Sequence, residues 1–171
     1  IKSVLLGNKV SSNSDEAVKL FEKSRLGEKD SDKIVYMLEE AFFLVETKKM
    51  DVLSSSYKVL GKDEVLKKLI KADKKFLVKY AVFRDLRKKG FIVKSALKFG
   101  ADFRVYEKGK KVGGGHSKWI CFASDENNNM RWQEFSSMNR VAHSTKKNLL
   151  IGIVDQENDV SYYEVSWKKI V

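Results

Sequence analysis

Apolar positions along the chain change their rhythm near residue 90. Before it they mostly recur every three or four residues, as on one face of a helix; just beyond it the pattern shortens to runs rich in β-branched and aromatic residues. Ser14, Asp15 and Glu16 supply capping groups ahead of Val18, Leu20 and Phe21, which predicts a first helix over 14–23. Ile34, Val35, Leu38, Ala41, Phe42 and Val45 predict a second over 31–47, with Ser31 or Asp32 as its N-cap. Residues 52–59 read as a short strand or turn, and Val65, Leu66, Leu69 and Ile70 predict a third helix over 62–70. A fourth starts near Lys74, carries Phe76, Val78, Tyr80, Val82, Phe83 and Leu86 on its apolar face, and stops at Gly90.

Strands are expected over 91–96, 101–107 and 118–123, followed by a loop at Asn127-Asn128-Asn129. Trp132, Phe135, Met138, Val141 and Ala142 predict a helix over 132–144. Then come an apolar strand over 149–154, a polar turn over 155–159 and a last strand over 160–167. The expectation is an α+β chain: a small α-rich N-terminal domain, 1–72, then an α/β C-terminal domain, 73–171, with a mixed five-stranded sheet flanked by helices. The chain contains no proline, so its turns are read from Gly, Asn, Asp and Ser alone.

Composition narrows the function classes. With 171 residues, 43% hydrophobic and 33% charged, the chain can build a sizeable core and is not a disordered tail. One cysteine, Cys121, can form no intrachain disulfide and no thiol-rich metal site, which fits a reducing cytoplasm. No apolar run is long enough for a membrane span, and the start, Ile1 to Gly7, is too short and too soon interrupted for a signal peptide. The net charge of +11 directs attention to polyanions. Between Lys74 and Lys111 thirteen Lys and Arg face only Asp85, Asp102 and Glu107, so an excess of +10 falls in that one segment. It reads either as a solvated helix face or as a surface that follows phosphates.

Candidate chemistry is sparse. Of the two histidines, His143 sits among the apolar positions of a helix and reads as structural, whereas His116 follows Gly113-Gly114-Gly115, where a ligand can come close to the backbone. No His-Glu-x-x-His or paired Cys-x-x-Cys occurs, and Asp102 and Glu107 would lie on opposite faces of one strand; no metal and no cofactor are expected. The glycine run lacks the Lys-Ser or Lys-Thr of a nucleotide-binding loop. RNA cleavage needs none of these, because the 2′-hydroxyl is the nucleophile. It needs a base, an acid for the leaving 5′-oxygen, and a cation for the charge that develops on phosphorus. Tyr106 could be the base if nearby positive charge favours its anion.

The segments Tyr80 to Lys94 and Lys98 to Tyr106, with His116-Ser117, Arg140-Val141-Ala142-His143-Ser144, Lys147 and Leu149 to Asp155, resemble the archaeal tRNA-splicing endonucleases. Leu38-Glu39-Glu40-Ala41-Phe42-Phe43-Leu44 resembles a short motif of that family's N-terminal domain. The resemblance implies a nuclease-like C-terminal domain with a metal-independent triad: Tyr106 as general base, His116 as general acid and Lys147 as transition-state stabiliser. It implies cleavage of precursor tRNA at both intron borders, in a bulge-helix-bulge, leaving a 2′,3′-cyclic phosphate and a 5′-hydroxyl. Arg140 and a second planar side chain would sandwich a bulge base. Trp167 is the candidate for the second, with packing of the C-terminal strand as its other reading, and Lys146 would contact phosphate. Two cuts call for two sites, and the resemblance implies a homotetramer or a heterotetramer with a structural subunit. The acidic turn Asp155, Glu157, Asp159 would dock into a basic cleft of a neighbouring subunit. Two other readings fit the same residues: a non-catalytic RNA-binding subunit of such a complex, and a metal-dependent nuclease of similar topology.

Overall fold

The computed structural model describes residues 1–109 and 116–171, which form two compact units, Ile1–Leu77 and Val78–Val171. The first unit opens with strands β1 (Lys2–Leu6) and β2 (Lys9–Ser12), then helix α1 (Asp15–Ser24). Strands β3 (Glu28–Asp30) and β4 (Lys33–Tyr36), helix α2 (Leu38–Glu46), strand β5 (Asp51–Leu53) and helix α3 (Lys62–Ala72) follow. Its five strands lie in the order β3-β4-β2-β1-β5, antiparallel except where β5 runs parallel to β1.

This sheet departs from the helical pattern expected at the N-terminus. The helix predicted over 31–47 starts only at Leu38. Ile34 and Tyr36 are buried on alternate positions of β4, a period of two that the neighbouring Val35 and Leu38 disguise as helical spacing. Met37, in extended backbone, ends the strand and caps the helix. The cap comes from Glu40, fully buried, whose carboxylate accepts from Met37 N–H at 3.0 Å and Gly27 N–H at 2.9 Å. Gly27 has φ +83°, and a Cβ there would meet Ile34 Cγ2 at 2.4 Å, so the turn feeding β3 can carry only glycine.

The second unit contains α4 (Phe76–Lys88), which begins at the end of the first, then β6 (Ile92–Ser95), a 3-10 turn (Leu97–Phe99), β7 (Phe103–Tyr106) and β8 (Trp119–Asp125). Helix α5 (Trp132–Ser144) and strands β9 (Asn148–Val154) and β10 (Val160–Val165) complete it. The sheet order is β10-β9-β8-β7-β6; only β8 and β9 are parallel, joined by α5 as crossover. Helix α5 covers one face, where Ala142 meets Ile120, Leu149 and Ile151. Helix α4 covers the other. There Phe83 packs on Phe103 with ring centroids 6.0 Å apart, and Gly152 lets Val82 approach so closely that a Cβ would sit 2.9 Å from it. Tyr162 of β10 donates to Asp85 of α4 at 2.6 Å. Cys121 lies fully buried at the centre of β8, its thiol pushed well above the ordinary value by burial and by the Asp102 carboxylate.

Candidate active site and nucleic-acid interface

Strand pairing gathers the candidate residues at one end of the second sheet. Val105 pairs with Trp119, and Trp119 with Asn148. One residue further along each strand stand Tyr106, Lys118 and Lys147. The hydrogen bonds Lys118 N–H to Val105 O and Asn148 N–H to Lys118 O, both 3.0 Å, fix this row. At about 4.8 Å per strand spacing, the backbones of Tyr106 and Lys147 are about 10 Å apart. On the far side Val165 pairs with Leu149, so the chain leaving β10 brings Trp167 back to the Lys147 end.

The row also has a face. Arg104 pairs with Ile120 and Ile120 with Leu149, and the last two lie in the core beneath α5. Alternation along β7 therefore turns Tyr106, two residues on from Arg104, toward the α5 side. Tyr106 is 6% exposed. Lys147 joins this face through the end of α5: Lys146 N–H bonds His143 O at 3.0 Å and Lys147 N–H bonds Ala142 O at 2.9 Å, with Lys146 at φ +57°. That paired closure of a helix C-terminus reverses the chain at Lys146 and delivers Lys147 to the head of β9. Burial lowers the Lys147 ammonium below the usual lysine value, and the positive charge of Arg104 lowers it further. His116 is exposed, two residues ahead of Lys118. The glycine run Gly113-Gly114-Gly115, with Lys110 and Lys111, lies outside the described residues.

A groove of about 770 Å³ opens beside the row, walled by α5 through Phe135, Asn139, Arg140 and His143 and by Val165 and Trp167 from the other side. Arg140 and Trp167 thus share one groove. Arg140 is held by a 3.0 Å hydrogen bond to Ser137 Oγ. His143, which the helical pattern made structural, is exposed instead and lies against Trp167, ring centroids 4.7 Å apart and planes tilted at 44°. Trp167 itself is 58% exposed. Sequence reasoning passed over Arg104 and read His143 as structural. A cationic residue two positions before the candidate tyrosine on the same strand was the available signal for the first; the second, three residues after Arg140, shares its helix face.

The acidic turn stands apart. It joins the far end of β9 to β10, and the seven residues of β9 separate it from Lys147 by about 23 Å. Asp155 is committed within the turn: its Oδ1 accepts from Glu157 N–H at 2.8 Å and Asp159 N–H at 3.0 Å. Glu157 and Asp159 are exposed. The nearby carboxylates are engaged separately: Glu107 with Lys118 Nζ at 3.3 Å, Glu164 accepting from Asn148 Nδ2 at 2.6 Å, and Asp102 accepting from Ala123 N–H at 2.8 Å. Among the described residues no three acidic, histidine or cysteine groups gather to hold a metal, and no helix is long and apolar enough to cross a membrane.

The second unit is thus an α+β domain, a mixed five-stranded sheet with one parallel crossover that carries a tyrosine and basic side chains at one end. The chain belongs to the tRNA intron endonuclease family: residues 76–162 match its catalytic C-terminal domain and residues 1–66 its N-terminal domain. Similar proteins include the tRNA-splicing endonuclease of Nanoarchaeum equitans, 44% identical over 138 residues, covering 77% of this chain and 88% of that one. That of Thermococcus onnurineus is 38% identical over 170 residues, 99% of this chain and 97% of its own. That of Methanothermobacter thermautotrophicus is 37% identical over 151 residues, 88% and 87% respectively.

Proposed function

We propose that this chain is the catalytic subunit of an enzyme that excises introns from precursor tRNA, cutting in a bulge-helix-bulge without a metal ion. The observation that carries this reading is the single row at the end of the second sheet, where Tyr106 and Lys147 stand on either side of Lys118, at the end to which the chain leaving β10 brings Trp167 of the groove. In the proposed reaction Tyr106, as phenolate, takes the proton of the 2′-hydroxyl; the 2′-oxygen bonds to the adjacent phosphorus; and the bond from phosphorus to the 5′-oxygen breaks. His116, as imidazolium, gives its proton to that leaving oxygen, so the products are a 2′,3′-cyclic phosphate and a 5′-hydroxyl. Lys147 holds the charge that builds on the non-bridging oxygens. Arg140 and Trp167 hold a splayed base, and Lys146, at the reversal of the chain, contacts a neighbouring phosphate.

Two cuts in one RNA require at least two such sites, in a tetramer of this chain or with a structural subunit. Glu157 and Asp159 are the free-facing members of the acidic turn and carry its proposed docking to a basic surface of a neighbour, while Asp155 shapes the turn. The decisive experiment is cleavage of a bulge-helix-bulge RNA in excess EDTA by wild type and His116→Ala. Wild type should yield cyclic-phosphate ends, and loss of the general acid should slow cleavage by about 10²–10⁴-fold. Activity that disappears in EDTA and returns with magnesium would remove the triad from consideration.

A further inference from the structure

Helix α5 does not end its exposed aromatic surface at the groove. Trp132, its first residue, is 81% exposed, an unusual position for a side chain of that size. Its ring stands at 86° to that of Phe135 with centroids 5.6 Å apart, and its high exposure leaves an indole face open to solvent. Trp132, Ser136, Asn139 and His143 follow one another at spacings of four, three and four residues, so they form one stripe along the helix. The last three already wall the groove; Trp132 prolongs that wall by one turn. It stands eight residues, or about 12 Å along the axis, from Arg140. The charge beside this stripe is positive. Arg131 and Arg140 flank its two ends and Lys168 faces it across the groove, while Glu134, the one acid of the helix, is turned back on Arg131 at 3.6 Å.

We propose that Trp132 is a second stacking platform for RNA, taking an unpaired base three to four nucleotides from the base held between Arg140 and Trp167. The spacing follows from about 12 Å of helix against about 3.4 Å per stacked nucleotide. An open aromatic face continuous with a basic groove suits a single strand, because every base has a face to stack and phosphates track the flanking arginines. The same strand inside a duplex would present no face, so the platform makes the enzyme sensitive to whether nucleotides flanking the cleaved bulge are paired. This rests on the reading of the groove as an RNA site.

The test uses the full chain and two RNAs that share one bulge: in the first the flanking nucleotides are unpaired, in the second they are paired. Trp132→Ala should raise the half-saturating concentration of the first RNA about five- to 150-fold, the range for losing one stacked base. It should leave that of the second within about twofold, and Trp132→Phe should recover most of the loss. The rate constant at saturation should stay close to wild type on both. Equal binding by wild type and Trp132→Ala overturns the platform. So does an equal loss on both RNAs accompanied by a smaller particle in sedimentation, which would make Trp132 a contact between subunits. Failure of wild type to bind either RNA would instead bring down the reading of the groove itself, with the platform.

Discussion

Lys147 is held in a conflicted position. Its backbone is fixed by the hydrogen bond to Ala142, its stem is partly buried, and Arg104 stands close enough to oppose its charge. The energetic consequence is a Lys147 that loses its proton at lower pH than an ordinary lysine. Since the proposed reaction needs the charged form, the alkaline limb of the pH–rate profile should begin below the usual lysine range. Arg104→Gln should move that limb upward, and only part of the way, because burial is the larger cause. A limb that stays put in Arg104→Gln would disconnect Lys147 from it. Tyr106, His116 and Lys147 stand out as candidates in the sequence because short motifs surround them. The surroundings of Arg104 and His143 do not, since they come from pairing across strands and from a ring contact between residues 24 positions apart.

At the level of elements, the second half was the more legible. The helix expected over 132–144 is α5 itself, and β8, β9 and β10 lie within a few residues of their predicted spans. These segments are long, apolar and bounded by clear turn residues. The first half misled because its strands are three to five residues long and half exposed, too short for a period of two to declare itself. At β4 a strand runs into a helix with one residue between, and the combined apolar string imitates one long helix. The acidic turn shows the same limit at side-chain detail. Its composition advertises five polar residues of equal standing, yet Asp155 holds the turn and its neighbours do not. Asp155→Ala should therefore cost about 1 kcal/mol in urea unfolding. Glu157→Lys with Asp159→Lys should leave the unfolding midpoint alone and reduce the particle size in sedimentation. If both variants behave alike, the division of labour within the turn is wrong.

For the whole molecule, the +11 charge governs how it meets RNA. The segment richest in charge is no uniform face, as Lys94 is buried and Lys89 is bonded to Asp85 at 2.7 Å. What remains at the surface still sets a steep ionic response: log affinity for RNA should fall linearly with log salt, by about 0.7–0.9 per phosphate contacted. Affinity indifferent to salt would mean that the charge serves another purpose. A further property comes from Cys121. It is the one thiol in the chain, it sits at the middle of the central strand with no exposure, and its anion is strongly disfavoured. Such a sulfur cannot react with an alkylating reagent until the sheet opens. The protein thus carries an internal clock: the rate at which a thiol label appears on Cys121 under native conditions should follow the opening of the second unit, and rise in step with loss of its secondary structure as urea is added.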